Sequence, residues 1–389
     1  MFTSAKPVRV AGILVALSVL SAILNAAAPR PLSQVPPGAD FETLARQARE
    51  AVDAARLPEA IDAYTRALAI RPLWVEGAFN LGGALYELKR YPEAVKALER
   101  ATALAPKVGL GWALLGLSEA EASQPQPALR HLVKAEEIGF DSNLEFETSV
   151  RLQAARLLLR ASDYDQAYLQ LTPLAKRVEN ASLLLETLGL CVLATNPRPE
   201  NLQDRRKEIA KLAGTAAWAG LNNHPAESAA SYNRLFERYG DDPGVHYAHG
   251  SFLINTDVAA AAAEFQKEVA ANPAHWPSLL LLASLQSKQG QAAQAIRTLE
   301  RAMKVAPVRV LGVCHLELGR AQLKSGNGAA ALKELLIAER SLPESADVHF
   351  QLSQAYRRAG QRLEANRELA EFERLKARQG PLFVPPEKP

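Results

Sequence analysis

Val75 to Lys107 reads VEGAFNLGGALYELKRYPEAVKALERATALAPK, and the phase of its small and large apolar residues decides the fold. Ala78, Leu81, Gly82 and Leu85 fall three or four residues apart, as they do along one face of a helix. Ala94, Leu98 and Ala101 form a second such run, which Pro106 closes. The same phase extends outward in both directions. Ala60, Ala94 and Ala128 stand 34 residues apart. Each is followed four residues later by Tyr64, Leu98 and Leu132, and seven later by Ala67, Ala101 and Ala135. Pro72 and Pro106 hold matching positions. A fixed period of this length predicts a solenoid of helix–turn–helix units, each burying its apolar face only against its neighbours.

Two small-residue series carry the period to the far end. The first-helix series is Ala48, Gly82, Gly116, Ala155, Gly189, Ala216, Gly250, Ala283, Gly319 and Ser353. The second-helix series is Ala60, Ala94, Ala128, Ala167, Ser228, Ala261, Ala295, Ala331 and Ala365, with Pro273, Pro307 and Pro343 closing the later units. Small residues suit points where two helix axes approach closely, and large residues fill the space beside them.

This pattern resembles the tetratricopeptide repeat family. Val75 to Lys107 is the best single copy, and Trp276 to Pro307 and Gly312 to Pro343 match nearly as well. The resemblance covers residues 41–376. It implies an all-α, right-handed superhelical solenoid of antiparallel helix pairs, with about nine to ten repeats, that serves as a protein-binding scaffold. Three departures stand out. Phe140 replaces a closing proline, and Glu268 sits where a small residue is usual. The unit around residues 182–208 keeps its first helix, but Pro197 and Pro199 interrupt the stretch after it, so residues 196–208 are expected to form a loop with at most a short helix.

Composition agrees with stacked helices. The hydrophobic content of 48% rests on Ala and Leu, both good helix formers, and aromatics are only 6%. The net charge of +3 comes from 45 basic against 42 acidic side chains. That balance argues against nucleic-acid binding, which needs a concentrated basic face. The densest basic cluster, Arg205-Arg206-Lys207, is flanked by Asp204 and Glu208 and reads as a solvated loop or helix end.

The N-terminus is expected to lie outside the solenoid. Lys6 and Arg9 precede an apolar run from Val10 to Leu24, and Ala26 to Ala28 supply small residues at its exit. This describes either a secretory signal peptide cut after Ala28 or an uncleaved N-terminal membrane anchor over residues 1–28. Both readings make the protein exported: periplasmic or secreted, or anchored to the inner membrane. Residues 29–40, with Pro31, Pro36 and Pro37, read as a proline-rich linker, and residues 377–389 as a proline-containing tail. Cys191 and Cys314 lie in distant repeats on apolar helix faces and are expected to be buried free thiols.

No catalytic constellation, cofactor motif or metal-ligand spacing is present in the sequence, so no enzyme activity, cofactor or metal is expected. His246 and His249 lie three apart on one helix, with His275 nearby, but His246, His315 and His349 share one phase of the first helices, which points to helix packing. Asp163 and Asp165 precede or open a helix and read as capping residues.

The resemblance places ligands against the inward side of the first helices. Carried over position by position, it implies Phe79, Asn80 and Tyr86, then Leu114 and Leu117, Arg156, Tyr247, Leu280 and Leu281, Arg320, and Phe350 as a protein- or peptide-binding set. The chaperone-tail clamp of this family is not expected, since only Asn80 fits it while Glu42, Glu76 and Leu110 occupy its other positions. The expected partner is a protein or peptide. No nucleic acid is expected, and membrane contact is expected only through residues 10–28 if they are retained. The alternatives are a structural assembly subunit of an envelope complex and a solenoid that binds carbohydrate or envelope polymer. The four tryptophans, Trp74, Trp112, Trp218 and Trp276, form no row of the kind a sugar-binding face would use.

Overall fold

The computed structural model describes residues 39–139, 144–178, 181–195 and 203–378. The expected leader, nearly all of the linker, the tail beyond Arg378, and Phe140, Pro197 and Pro199 lie outside the described residues. Among the described residues there are nineteen α-helices, one short 3-10 turn and no strand. They divide into two compact units. The first holds the described residues up to Cys191 together with those between 203 and His224; the second holds Val192–Thr195 and the residues from Pro225 onward.

The first unit is built of helix pairs: α1 (Ala39–Asp53) with α2 (Leu57–Ile70), α3 (Val75–Glu87) with α4 (Tyr91–Leu104), α5 (Gly109–Glu121) with α6 (Pro125–Ile138), and α7 (Leu144–Arg160) with α8 (Tyr164–Ala175). Then come α9 (Ser182–Val192) and α10 (Asp204–Leu221). In the second unit α11 (Pro225–Tyr239) precedes four pairs: α12 (Val245–Leu253) with α13 (Val258–Ala271), α14 (Trp276–Lys288) with α15 (Ala292–Val305), α16 (Leu311–Lys324) with α17 (Gly328–Ser341), and α18 (Ala346–Arg358) with α19 (Arg362–Arg378).

Local chemistry sets the helix ends. Pro58, Pro92 and Pro125 stand in the first turn of α2, α4 and α6, where a proline's missing N–H removes a donor that has no helical partner anyway. The reversal from α3 to α4 passes through Lys89 at φ 60°, and Arg90 N–H closes back on Leu85 O at 2.9 Å. This is the left-handed helix stop that glycine takes at Gly326 and Gly360 in later repeats.

Within a pair, one contact recurs at one phase. A Cβ on Gly82 would lie 2.4 Å from Leu98 Cγ; on Gly116, 2.7 Å from Leu132 Cγ; on Gly319, 2.6 Å from Leu335 Cγ; and on Gly250, 2.8 Å from Phe265 Cε1. The large side chain of the second helix therefore sits directly on the missing side chain of the first. Where the first helix carries Ala48, Ala155 or Ala283 instead, Tyr64, Leu171 and Leu299 occupy the facing position, and all six are buried.

Residues 204–208 correct the sequence reading. They open α10, an 18-residue helix, rather than lying in a loop. Helix α10 also supplies the missing partner of α9. A Cβ on Gly189 would meet Ala210 O at 1.7 Å, and one on Gly214 would meet Leu185 O at 1.8 Å, so the two backbones touch through paired glycines. The second helix of this unit is present and starts at Asp204.

Glu268 is likewise explained. It is 1% exposed, and both carboxylate oxygens accept the Gly244 N–H, at 3.1 and 3.0 Å, at the start of α12. Gly244 is left-handed (φ 84°) and a Cβ there would lie 2.2 Å from Leu193 O, so the Val192–Thr195 turn packs directly on it. His275 secures the same turn. Its Nδ1 accepts from Ser278 N–H at 3.3 Å, capping α14, and this leaves Nε2–H to donate to Ala194 O at 3.0 Å. Burial pushes the His275 imidazolium down to about 4. Protonating Nδ1 would also set a new N–H against the cap donor.

Both the glycine contact and the buried histidine can be tested by stability measurements. Gly82→Ala should destabilise the protein by about 1–3 kcal/mol, the cost of overpacking a filled site, read as a lower thermal midpoint with unchanged helical signal; an unchanged midpoint would mean the α3–α4 contact is looser than described. Because the folded pKa of His275 lies below its unfolded value, its contribution is fully present above pH 6.5 and declines as pH falls toward 4. The loss should be on the order of 3 kcal/mol. His275→Gln should flatten the fall in thermal midpoint between those pH values, and parallel curves for the two proteins would refute the assignment.

Candidate protein-binding groove

The sequence-derived set does not gather into one apolar wall. Phe79, Asn80, Leu114 and Leu117 are each under 5% exposed; the three apolar side chains belong to the core, and Asn80 Nδ2 donates to Tyr64 Oη at 3.1 Å. They offer almost no surface to a ligand, because the first helix of each pair is covered by the second helix and by its neighbouring repeat. Tyr86, Arg156, Tyr247, Leu280, Leu281 and Arg320 are partly buried. Tyr247 and Leu281 pack on the cluster around Phe265, and Leu280 on the cluster around Leu299. Phe350 is 36% exposed and lies against Phe372, with ring centroids 5.3 Å apart.

Arg320 lines a larger cavity than the small apolar gap beside Phe79. In the second unit α14, α16 and α18 border a space of about 360 Å³. Ser284, Ser287 and Lys288 come from the first of these helices, Glu317, Arg320, Leu323 and Lys324 from the second, and Gln351, Gln354 and Arg358 from the third. Four cations thus face one carboxylate, with amides and hydroxyls between them. Arg320 pairs with Glu317 at 2.6 Å and with Asp347 at 2.9 Å. Lys324 Nζ donates to Ser287 O at 2.8 Å, and the Arg358 guanidinium donates to Leu323 O. In both cases a cation meets a carbonyl in the last turn of the preceding first helix, where the helix dipole is negative. Lys288 is exposed at the same phase.

Lys288, Lys324 and Arg358 each stand five residues after the small residue of their helix, at Ala283, Gly319 and Ser353. The same phase in the first unit carries Asp53, Glu87 and Glu121 in its first three repeats, five residues after Ala48, Gly82 and Gly116, and Arg160 in the fourth, five after Ala155. Carboxylates at a helix C-terminus oppose the dipole. Glu87 is partly buried, its Oε1 has no hydrogen-bond partner, and burial raises its pKa. Burial also raises the Tyr86 phenol, and Glu121 adds to the shift. On Arg156, burial lowers the guanidinium pKa while Glu121 and Glu186 act against it. The first three repeats and the last three therefore present opposite charge at one repeat position, although the whole chain is near neutral.

The histidines serve packing through partners the sequence reading missed. His246 Nδ1 lies 2.7 Å from Glu264, His315 Nδ1 2.6 Å from Glu334, and His349 Nδ1 2.7 Å from Glu368. Each pair clips a first helix to its own second helix. The signal was available: each glutamate comes 18 or 19 residues after its histidine. Asp163 holds the N-cap position of α8, but its side chain makes no capping hydrogen bond, and Asp165 lies in the first turn. Cys191 and Cys314 are buried free thiols; burial pushes Cys314 up to about 11 and Cys191 further.

A tetratricopeptide repeat family profile matches residues 45–108 and 316–378, and a second tetratricopeptide repeat profile matches residues 277–309. No curated protein matches the chain. Among solved structures, MamA (residues 41 to its end) from Desulfovibrio magneticus RS-1 aligns at 19% identity with a TM-score of 0.41, over 46% of this chain and 99% of its own. A tetratricopeptide repeat protein from Parabacteroides merdae ATCC 43184 aligns at 14% identity with a TM-score of 0.34, over 82% of this chain and 99% of its own. The Cut9–Hcn1 hetero-tetramer aligns at 14% identity with a TM-score of 0.39, over 93% of this chain and 68% of that one. Similarity at this level carries no functional argument. The matched repeats and the recurring phase of the helix pairs together place the chain in the tetratricopeptide repeat family.

Proposed function

We propose that the protein is a binding scaffold without chemistry of its own, and that the groove over α14, α16 and α18 receives an acidic segment of a protein partner. The observation that carries this reading is the groove's charge: Lys288, Arg320, Lys324 and Arg358 against Glu317 and Asp347, on three successive first helices. An extended peptide crossing three repeats meets at least one cation in each. Ser284, Gln351 and Gln354 add hydrogen-bonding groups that suit a peptide backbone. The partly buried apolar candidates of the sequence reading support the repeats instead, and their packing in the clusters around Phe265 and Leu299 favours that role.

Export is proposed with it, on the sequence of Lys6, Arg9, Val10 to Leu24 and Ala26 to Ala28. Expressed in a bacterium, the chain should be recovered either starting near Pro29 or with Met1 in the membrane fraction. Mass spectrometry finding Met1 on soluble cytoplasmic protein would reject export.

Binding is tested with short fluorescent peptides, one rich in Glu and Asp and one rich in Lys and Arg. The acidic peptide should bind more tightly, with affinity falling as salt rises. Lys288→Glu removes a cation that holds no carbonyl, so the fold should be retained while acidic-peptide affinity drops roughly 3- to 10-fold. Equal binding of both peptides, or an unchanged affinity in Lys288→Glu, would sink the groove assignment.

A further inference from the structure

One of the three histidine–glutamate clips has an additional carboxylate. Glu339 on α17, His349 on α18 and Glu368 on α19 each offer a ligand atom, and these atoms lie within 4.8 Å of one another. No other three His, Cys, Asp or Glu side chains converge in this way among the described residues. The clips at His246 and His315 hold Glu264 and Glu334 in the same manner but assemble no such triad. Helix pairing therefore needs only the histidine and one glutamate, and Glu339, from the preceding repeat, is surplus to it.

The imidazole is set as a ligand would be. His349 is 5% exposed, and its Nε2 lies 2.9 Å from Pro343 O. A carbonyl oxygen only accepts, so Nε2 carries the hydrogen and the Nδ1 lone pair faces the carboxylates. A backbone carbonyl on the far nitrogen is the usual support of a metal-bound histidine. In the absence of metal, a second proton on Nδ1 answers only one of two negative charges. Although burial opposes that proton, Glu368, the Pro343 carbonyl and Glu339 together raise the His349 pKa above its ordinary value. Glu371 lies in the same field, and Tyr356 feels Glu368, Glu339 and Glu364.

We propose that Glu339, His349 and Glu368 bind one divalent transition-metal ion of the zinc class, through His349 Nδ1 and one oxygen from each carboxylate. One imidazole and two carboxylates suit zinc better than calcium or magnesium, which prefer all-oxygen shells. Ligand atoms around a tetrahedral zinc sit about 3.3 Å apart, so small side-chain rotations close the triad. The ion replaces the Nδ1 proton, neutralises both carboxylates and ties α17 to α18 and α19. The fourth position stays open to water.

The test uses the full chain, stripped with a chelator and titrated with Co2+ and Zn2+. One equivalent of Co2+ should give the visible absorption of a four-coordinate site, Zn2+ should displace it, and affinity should rise with pH as the proton is lost. Zn2+ should raise the thermal midpoint, and Mg2+ should not. Glu339→Gln leaves the His349–Glu368 clip intact, so its metal-free midpoint should match the parent while Zn2+ affinity falls tenfold or more. Absence of the Co2+ spectrum in the parent, or equal Zn2+ affinity in Glu339→Gln, would overturn the proposal.

Discussion

The fold depends on one contact: a large side chain of the second helix seated where the first helix has almost none. Leu98 on Gly82, Leu132 on Gly116, Phe265 on Gly250 and Leu335 on Gly319 repeat it. Bringing two helix axes this close removes apolar surface from water without bulky aromatics, which is how a chain with few of them builds a core. The contact also fixes the rotation of the first helix about its own axis. Once the glycine side faces its partner, residues five positions later fall on a predictable part of the open side. The cations Lys288, Lys324 and Arg358 line up for that reason.

Departures from the repeat sit where the chain does something other than repeat. Glu268 replaces a small residue because Gly244 presents its N–H there, and His275 binds Ala194 O because its other nitrogen caps α14. Both hold the Val192–Thr195 turn in the second unit. A buried carboxylate and a buried neutral imidazole are costly unless satisfied, and each finds backbone partners. At α9 and α10, glycine against backbone replaces glycine against leucine, which accommodates a second helix that starts late.

Charge is organised by repeat position rather than by region of sequence. A net charge of +3 averages over Asp53, Glu87 and Glu121 in one unit and Lys288, Lys324 and Arg358 in the other. Summed, they cancel; taken at their shared phase, the first three repeats and the last three separate. The first set works against the helix dipole and the second with it, and two of the cations bond carbonyl groups that the dipole makes negative.

The sequence by itself determined the helix pairs outside residues 182–239, because spacing of small and large residues is a local property that survives any global arrangement; within that stretch it read Ala216 as a first-helix residue, whereas α10 is the second helix that packs on α9. It placed every small residue of both series in the interior and identified the histidine phase. The tertiary structure decided which inward residues remain accessible: Phe79, Asn80, Leu114 and Leu117 sit at inward-reading positions but are covered by neighbouring elements, and periodicity within one helix carries no information about that cover. It also decided the partners of the histidines, the late start of α10 and the meeting of Glu339 with His349 and Glu368. Each of these joins side chains from separate helices, and the distance between separate helices is set by packing rather than by spacing along the chain.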